Sequence, residues 1–142
     1  MRALLDVNVL IAMLDADRTS HRAAWAWFRE HGQSGWASCP ITQNGCLRIL
    51  SHPGYPNTRS VSEVAQRLRA ATADPSHEFW PDSHSMLDNE IVDVTRVHGP
   101  KQFTDIYLLA LAVTHNGRLV TFDAGISVSA VRRATARHLV QL

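Results

Sequence analysis

The strongest constraint on the fold comes from the stretch RALLDVNVLIAML, in which an aspartate interrupts two apolar runs. The residues before Asp6 are typical of a short buried strand, placed at 2–5, and the eight after it have the length and composition of an apolar helix. Asp6 suits the start of that helix, because its carboxylate can accept a hydrogen bond from a backbone N–H. A carboxylate between two buried segments still costs free energy unless something compensates for its charge.

The same alternation of short apolar strands and helices continues along the chain. Strands are predicted in GWASCP, HEFWPD, RLVTFD and LVQL, and helices in SHRAAWAWFREHG, PITQNGCLRILSHPG, SVSEVAQRLRAATAD, SHSMLDNEIVDVTRVHG, TDIYLLALAVTHNG and SVSAVRRATARH. Ser60 and Thr104 are the expected caps of two of these helices. The alternation predicts an α/β fold with a central parallel sheet of four to five short strands, flanked by helices on both faces, in a single domain spanning 1–142.

Composition sets limits on the functional class. The chain has 142 residues, of which 45% are hydrophobic, and its net charge is +1. This charge excludes a polybasic nucleic-acid binder, although a bound metal ion can supply positive charge to a nucleic-acid substrate. We expect a cytoplasmic protein that does not associate with membranes, since the N-terminus has no signal-peptide pattern and no apolar run approaches the roughly 18 residues of a span. Cys39 and Cys46 match no common zinc spacing and are expected to be buried.

Three aspartates are predicted to meet at one edge of the sheet. Asp6 and Asp123 each end a strand, and Asp105 lies in the first turn of the helix that leads into the second of these strands. The carboxyl ends of parallel strands and the helix N-termini share one edge of such a sheet, where α/β proteins build their sites. Each aspartate alone could simply cap a helix. Together they predict a site for a hard divalent cation, Mg²⁺ or Mn²⁺, which removes the repulsion among them.

These residues resemble the PIN-domain family, and within it the VapC-type toxins of bacterial toxin–antitoxin pairs. LLDVNVLI is similar to the family's opening strand–Asp–helix, and FTDIYLLALAVTHNGRLVTFD is similar to its T-D-x-x-L-x-A-L-A…L-V-T-x-D run. ITQNGCLRILSHPGYP resembles a subgroup that is frequent in mycobacteria and related actinobacteria. The resemblance spans nearly the whole chain in order.

The resemblance implies a metal-dependent ribonuclease toxin that hydrolyses phosphodiester bonds in RNA (tRNA, rRNA or mRNA). Asp6, Asp105 and Asp123 match the family's catalytic, metal-binding acids. Asn8 matches a polar residue of the opening motif, and Thr121 matches the Ser or Thr two residues before the last acid. The resemblance also implies Mg²⁺ as cofactor with Mn²⁺ as a substitute, a VapB-type antitoxin as partner, and a homodimer.

One acid of the family pattern is missing. Many members carry a Glu on the helix after the second strand, and alignment on Thr42 and Arg48 places Gly45 there. Gln43 and Asn44 lie nearby without charge, and Asn44 is a candidate neutral ligand. Without this acid, the sequence does not decide whether the site binds one metal ion or two. It also leaves a second hypothesis, a catalytically weakened PIN-like module that binds RNA or a partner without cutting.

Substrate binding requires basic and aromatic side chains, and the sequence offers several without indicating which of them face RNA. Arg48, Arg67 and Arg69 are the candidate RNA-binding residues. The four tryptophans are expected to pack rather than to stack on bases. A phosphatase of the haloacid dehalogenase type, which also ends its first strand with D-x-D, is disfavoured because Asn8 replaces the second aspartate.

Overall fold

The computed structural model describes all 142 residues, and at its centre lies a sheet of five parallel strands. The strands are β1 (Ala3–Leu5), β2 (Trp36–Ser38), β3 (His77–Phe79), β4 (Arg118–Thr121) and β5 (Leu139–Gln141). Their order across the sheet is β3-β2-β1-β4-β5, so β1 lies in the middle with β2 and β4 as neighbours. The predicted parallel sheet is therefore confirmed.

Five α-helices cover the sheet. They are α1 (Val7–Leu14), α2 (His21–His31), α3 (Pro40–Leu50), α4 (Val61–Thr72) and α5 (Phe103–Thr114), joined in part by short 3₁₀ turns. Asp6 accepts a hydrogen bond from the N–H of Val7 and Ser60 accepts one from the N–H of Glu63, so both helix starts agree with the sequence. None of these helices is long and apolar enough to cross a membrane.

The sheet separates two hydrophobic clusters, because successive side chains of a strand point to opposite faces. Leu4, Ala37 and Leu119 pack against α5 on one face. Ala3, Leu5 and Val120 pack on the other face against residues of α1, α2, α3 and α4. Helices on both faces were expected. Both cysteines are buried and unpaired, also as expected.

The helix predicted over 127–138 is wrong. The chain there forms two 3₁₀ turns, Val128–Ala130 and Ala136–His138, and Arg133 between them has φ 64°. Val131 pairs with Val92 in an antiparallel bridge, and the N–H of Arg132 donates to the carbonyl of Ile91 at 2.8 Å. In a helix, the backbone N–H and C=O groups of this segment would pair with each other. Here they pair with a distant part of the chain, so their hydrogen bonds are made without a helix.

Two further boundaries differ from the prediction. The stretch 83–99, expected to contain one or two short helices, holds turns and the single 3₁₀ turn Val94–Arg96. Helix α5 begins at Phe103 rather than behind a Thr104 cap, because the 3₁₀ turn Pro100–Gln102 runs directly into it. Thr104 thus lies inside the first helical turn. Asp105 remains in that turn, as predicted.

Helices α1 and α3 approach each other closely at Gly45. A Cβ atom at this position would lie 2.7 Å from Cγ2 and 3.0 Å from Cγ1 of Val7, which is closer than van der Waals contact permits. Val7 is β-branched and has little rotamer freedom to move aside. The absence of a side chain at Gly45 therefore allows α3 to pack against the N-terminal turn of α1, next to Asp6.

Gly45→Ala is expected to destabilise the protein by about 1–2 kcal/mol, although Ala in a helix interior ordinarily gains about 1 kcal/mol over Gly. The reason is the overlap of the new Cβ with Val7. In a Val7→Ala background the same substitution should become stabilising, since the overlap is gone. Urea denaturation of the four proteins measures both effects as a double-mutant cycle. A stabilising Gly45→Ala in the otherwise unchanged protein would contradict this account of the packing.

Candidate metal centre

Asp6, Asp105 and Asp123 meet at the carboxyl edge of the sheet. Asp6 directly follows β1, Asp123 follows β4 by two residues, and Asp105 enters from the first turn of α5. One carboxylate oxygen from each residue lies within 4.8 Å of the other two. Because β1 and β4 are hydrogen-bonded neighbours, their ends are adjacent, and the sequence prediction of the meeting point agrees with the structure.

Asp6 is the most constrained of the three, with only 5% of the residue exposed. Its Oδ1 accepts a hydrogen bond of 2.7 Å from the N–H of Val7. Its Oδ2 accepts one of 2.8 Å from the hydroxyl of Thr121, which is fully buried. The Thr121 hydroxyl also accepts a 3.0 Å bond from the N–H of Asp123. Thr121 thus connects two of the acids, and its place in the sequence pattern indicated such a supporting position.

The electrostatics of the cluster are unfavourable without a cation. Burial raises the pKa of Asp105 to about 6, and the neighbouring carboxylates of Asp6 and Asp123 add to this shift. Burial also raises the pKa of Asp6, although hydrogen bonds from Thr121 and Val7 oppose the shift. The two ion pairs in the structure, Arg2–Glu78 and Arg96–Asp93, lie elsewhere. Three acids therefore share one cleft with no basic partner.

The donor set suits a hard divalent cation. All three side chains offer carboxylate oxygens, the ligands that Mg²⁺ and Mn²⁺ prefer, and neither His nor Cys belongs to the cluster. A cation among them would offset the repulsion that adds to the effect of burial on the pKa of Asp105. The geometry therefore fits the predicted metal site on three ligands.

Helix α3 supplies no ligand to this cluster. Gly45 is buried against Val7, so a Glu side chain has no room there at the observed helix spacing. The side-chain amide of Gln43 donates to Ser38 Oγ at 2.9 Å, and Ser38 Oγ is in turn 2.8 Å from His77 Nε2, so this hydrogen-bonded chain leads toward β3. Asn44 is exposed and lines a shallow hollow between α3 and α4. The suggestion that Asn44 is a neutral ligand thus receives no support from its position.

The remaining predicted residues lie at different distances from the acids. Asn8 is in the first turn of α1, partly buried, close in sequence to Asp6. Arg67 donates to the carbonyl of Leu14 at the far end of α1, about 12 Å along that helix from Asp6. Arg48 and Arg69 are exposed in the last turns of α3 and α4. None of these three arginines forms an ion pair with the acids, and their contact with RNA stays a prediction.

Sequence reasoning overlooked the segment that enters α5. Phe103, the first residue of this helix, is 45% exposed and lies two residues before Asp105, and Lys101 and Gln102 precede it in a 3₁₀ turn. The amide of Gln102 donates to the carbonyl of Gly125 at 2.7 Å, which connects this turn to the loop after Asp123. The position of Phe103 directly before a predicted site helix was the signal that could have drawn attention to it.

Comparison with known proteins assigns a family. A family model described as the PIN domain matches residues 3–131. The chain is 53% identical to Ribonuclease VapC44 of Mycobacterium tuberculosis over 142 residues, which is the full length of both proteins. It is 40% identical to Ribonuclease VapC39 of the same species over 131 residues, covering 92% of this chain and 94% of that protein.

Solved structures share the fold at low sequence identity. VapC20 of Mycobacterium tuberculosis, described as a toxin that cleaves the sarcin–ricin loop, superposes with a TM-score of 0.63 at 12% identity and covers 91% of this chain and 95% of its own. VapBC2 of Rickettsia felis, solved with a DNA fragment from its promoter, superposes with a TM-score of 0.61 at 14% identity and covers 100% of this chain and 99% of its own. From the family model and the full-length relatives, we conclude that this chain belongs to the PIN-domain family.

Proposed function

We propose that this protein is an endoribonuclease that depends on Mg²⁺ or Mn²⁺ and acts as a toxin held in check by an antitoxin. The observation that carries the proposal is the group of three carboxylates within 4.8 Å at the end of the central strands. The names of the relatives support RNA as substrate, because VapC44 and VapC39 are both called ribonucleases. The substrate RNA belongs to the cell's tRNA, rRNA or mRNA, so we expect the protein to act in the cytoplasm.

The residues of the site divide the work of hydrolysis between binding and orientation. Asp6, Asp105 and Asp123 would hold the divalent ion, which when bound supplies positive charge at a phosphate and lowers the pKa of a water molecule. Thr121 donates to Asp6 Oδ2 and the N–H of Val7 donates to Asp6 Oδ1, so the Asp6 carboxylate is held in one orientation. Asp123 is the most exposed of the three acids, and Asp105 is half-buried. Because its pKa is raised to about 6, Asp105 is the acid best suited to accept a proton from an attacking water near neutral pH.

The rival hypothesis is a PIN-domain module that binds RNA or a partner without cleaving it. The feature that favours it is Gly45 at the position of a family acid, together with the absence of any α3 ligand. Metal binding alone does not distinguish the two hypotheses, since three carboxylates suffice for it. Cleavage does distinguish them.

The first test is cleavage of total cellular RNA by the purified, antitoxin-free protein. We expect discrete fragments with Mg²⁺ or Mn²⁺, no fragments with EDTA, and a loss of at least about 100-fold in rate for Asp6→Asn and Asp105→Asn. The products are expected to carry a 5′-phosphate and a 3′-hydroxyl.

The matched control is Glu30→Gln, which removes one exposed carboxylate from α2, away from the cluster, and should cleave at the unaltered rate. Circular dichroism establishes that each variant is folded. Intact RNA with the folded, unaltered protein would favour the binding module. Full activity of folded Asp6→Asn would remove Asp6 from the mechanism.

A second test uses the free-energy cost of ionising Asp105, which comes first from burial and then from the neighbouring carboxylates. Because the pKa of this group is raised from 3.8 to about 6 in the folded state, the folded protein loses stability as the pH rises from about 4 through 6 and Asp105 ionises. The Asp105→Asn variant has no carboxyl group to ionise at this position, so it does not lose stability for this reason as the pH rises. In EDTA, we therefore expect the variant to have a higher Tm than the unaltered protein at pH 7.5, and the difference to shrink toward pH 4.

Thermal unfolding across this pH range, with and without Mn²⁺, measures both effects. Mn²⁺ should raise the Tm of the unaltered protein more than that of Asp105→Asn, because the variant lacks one ligand. A variant less stable than the unaltered protein in EDTA at pH 7.5 would show that ionised Asp105 does not destabilise the folded protein as inferred.

The antitoxin needs a surface on the toxin. The best candidate is an apolar groove on the face of the sheet opposite α5. It has a volume of about 270 Å³, and nine of its eleven lining residues are hydrophobic, including Met13, Trp25, Phe28 and Ala71 from α1, α2 and α4. VapBC2 and a toxin–antitoxin complex from Klebsiella pneumoniae share this fold, with TM-scores of 0.61 and 0.58. An apolar segment of a VapB-type antitoxin would bury this groove. The expected homodimer remains a separate prediction, checked by light scattering.

Ala71→Arg should place a charged side chain in the groove and abolish co-purification with the co-expressed cognate antitoxin, while RNA cleavage by the free protein is retained. Ala23→Arg, at an exposed position of α2, is the matched control and should leave the complex intact. Unchanged co-purification of Ala71→Arg would place the antitoxin on another surface.

A further inference from the structure

Phe103 is an exposed aromatic residue at the end of α5 that carries Asp105 into the acidic cluster. It is 45% exposed, whereas the two most buried tryptophans, Trp36 and Trp80, are only 6% and 2% exposed. Phe103 begins α5, and Asp105 follows two residues later in the same turn. An apolar ring is thus left in water next to a charged site, although burial in the adjacent core would stabilise it.

The backbone that carries Phe103 is held in place from two sides. The side-chain amide nitrogen of Gln102, Nε2, donates to the carbonyl of Gly125 at 2.7 Å, in the loop that follows Asp123. The amide oxygen of Gln102 accepts a 3.2 Å bond from the N–H of His98. Since Phe103 is continuous with the helix on its other side, its backbone occupies a defined place relative to Asp105, and little backbone ordering is needed on binding.

Helix geometry places the ring beside the cluster rather than in it. Residues two apart on a helix point about 200° from each other, so Phe103 and Asp105 face opposite sides of the helix start. Phe103 shares its side with Tyr107, one turn later, whose ring lies 6.4 Å from that of His84. The ring therefore lies at the same end of α5 as Asp105, on the flank that faces the segment containing His84.

The local charge adds a second feature. Three carboxylates repel a polyanion, and none of them is paired with a basic side chain. Lys101 is the only lysine of the chain and is exposed in the 3₁₀ turn directly before Phe103. An exposed ring and a flexible cation, side by side at an anionic cleft, form the combination that binds unpaired nucleotides, in which the base stacks and the phosphate meets the charge.

We propose that Phe103 stacks on an unpaired base next to the scissile phosphate, and that Lys101 contacts the adjoining backbone phosphate. The proposal rests on the ribonuclease function and assigns to Phe103 a base that is unpaired, because a base within a duplex is already stacked on its neighbours. Phe103 is then a substrate-binding residue that determines which RNA structures are cut.

Binding is measured by fluorescence anisotropy with a fluorescein-labelled single-stranded RNA and the same RNA in a duplex, with Mg²⁺. All proteins carry Asp105→Asn so that the probe stays intact. We expect Phe103→Ala and Phe103→Leu to weaken single-strand binding about tenfold and Phe103→Trp to preserve it. The duplex should bind more weakly than the single strand. Lys101→Gln should reduce the slope of log Kd against log salt by about 0.7.

The matched control is Phe79→Ala. Phe79 is 50% exposed but lies on β3, two strands and about 10 Å from β1. It shares a sheet face with His77, whose ring contacts Trp36 on the side opposite α5. Phe79→Ala should bind RNA with unchanged affinity. In the active protein, Phe103→Ala should raise KM about tenfold with kcat retained, which a purely structural loss would not produce.

Several results would overturn the proposal: equal affinity of Phe103→Ala and the parent protein, equal loss in Phe79→Ala, full rescue by Leu, or no single-strand binding at all. Cleavage of total RNA by the unaltered protein is scored separately. If the unaltered protein cleaves RNA and Phe103→Ala has an unchanged KM, only the stacking proposal fails. If the unaltered protein cleaves no RNA, the proposed function fails whatever the binding results.

Discussion

The hydroxyl of Thr121 connects the two strand ends on which the site depends. It donates its single hydrogen to Asp6 Oδ2 at 2.8 Å and accepts from the backbone N–H of Asp123 at 3.0 Å. Thr121 is fully buried, so neither bond is weakened by exchange with water. Together with the parallel pairing of β1 and β4, these two bonds make the spacing of Asp6 and Asp123 a property of the central sheet rather than of a loop. The third acid is added by α5, whose first turn lies at the same edge.

The sequence alone predicts those parts of the fold in which the residue pattern of a segment and the topology of a parallel sheet indicate the same arrangement. Asp6 and Asp123 end apolar strand segments, and parallel strands bring such ends to one edge, so their proximity could be derived without any structure. The segment 127–138 could not be derived, because its conformation depends on the pairing of Val131 with Val92, nearly 40 residues away in sequence. Helical periodicity in that segment reflects the burial of Ala130 and Val131, not a helix.

The residues expected to bind RNA could not be placed from the sequence for a different reason. An exposed arginine on a helix has no partner that determines its direction, so Arg48, Arg67 and Arg69 were equally plausible until the helices were positioned. Arg67 instead donates to the C-terminal carbonyl of α1. Phe103 was overlooked because an apolar residue next to an apolar helix is ordinarily expected to lie in the hydrophobic core. Its exposure follows from the 3₁₀ turn that directs the chain into α5, a turn that the pattern of residues did not reveal.

The close packing of α1 and α3 bears on how the acidic cluster can function with three carboxylates. A side chain at position 45 would require the two helices to separate, which would displace Val7, whose N–H holds Asp6 Oδ1. A fourth acid at this position is therefore incompatible with the present arrangement of the first. Octahedral Mg²⁺ completes its shell with water or substrate oxygens when protein ligands are few. With three protein carboxylates, phosphate oxygens of bound RNA can complete the shell, so metal and substrate would strengthen each other's binding, and a residue that holds the RNA in place also favours metal occupancy.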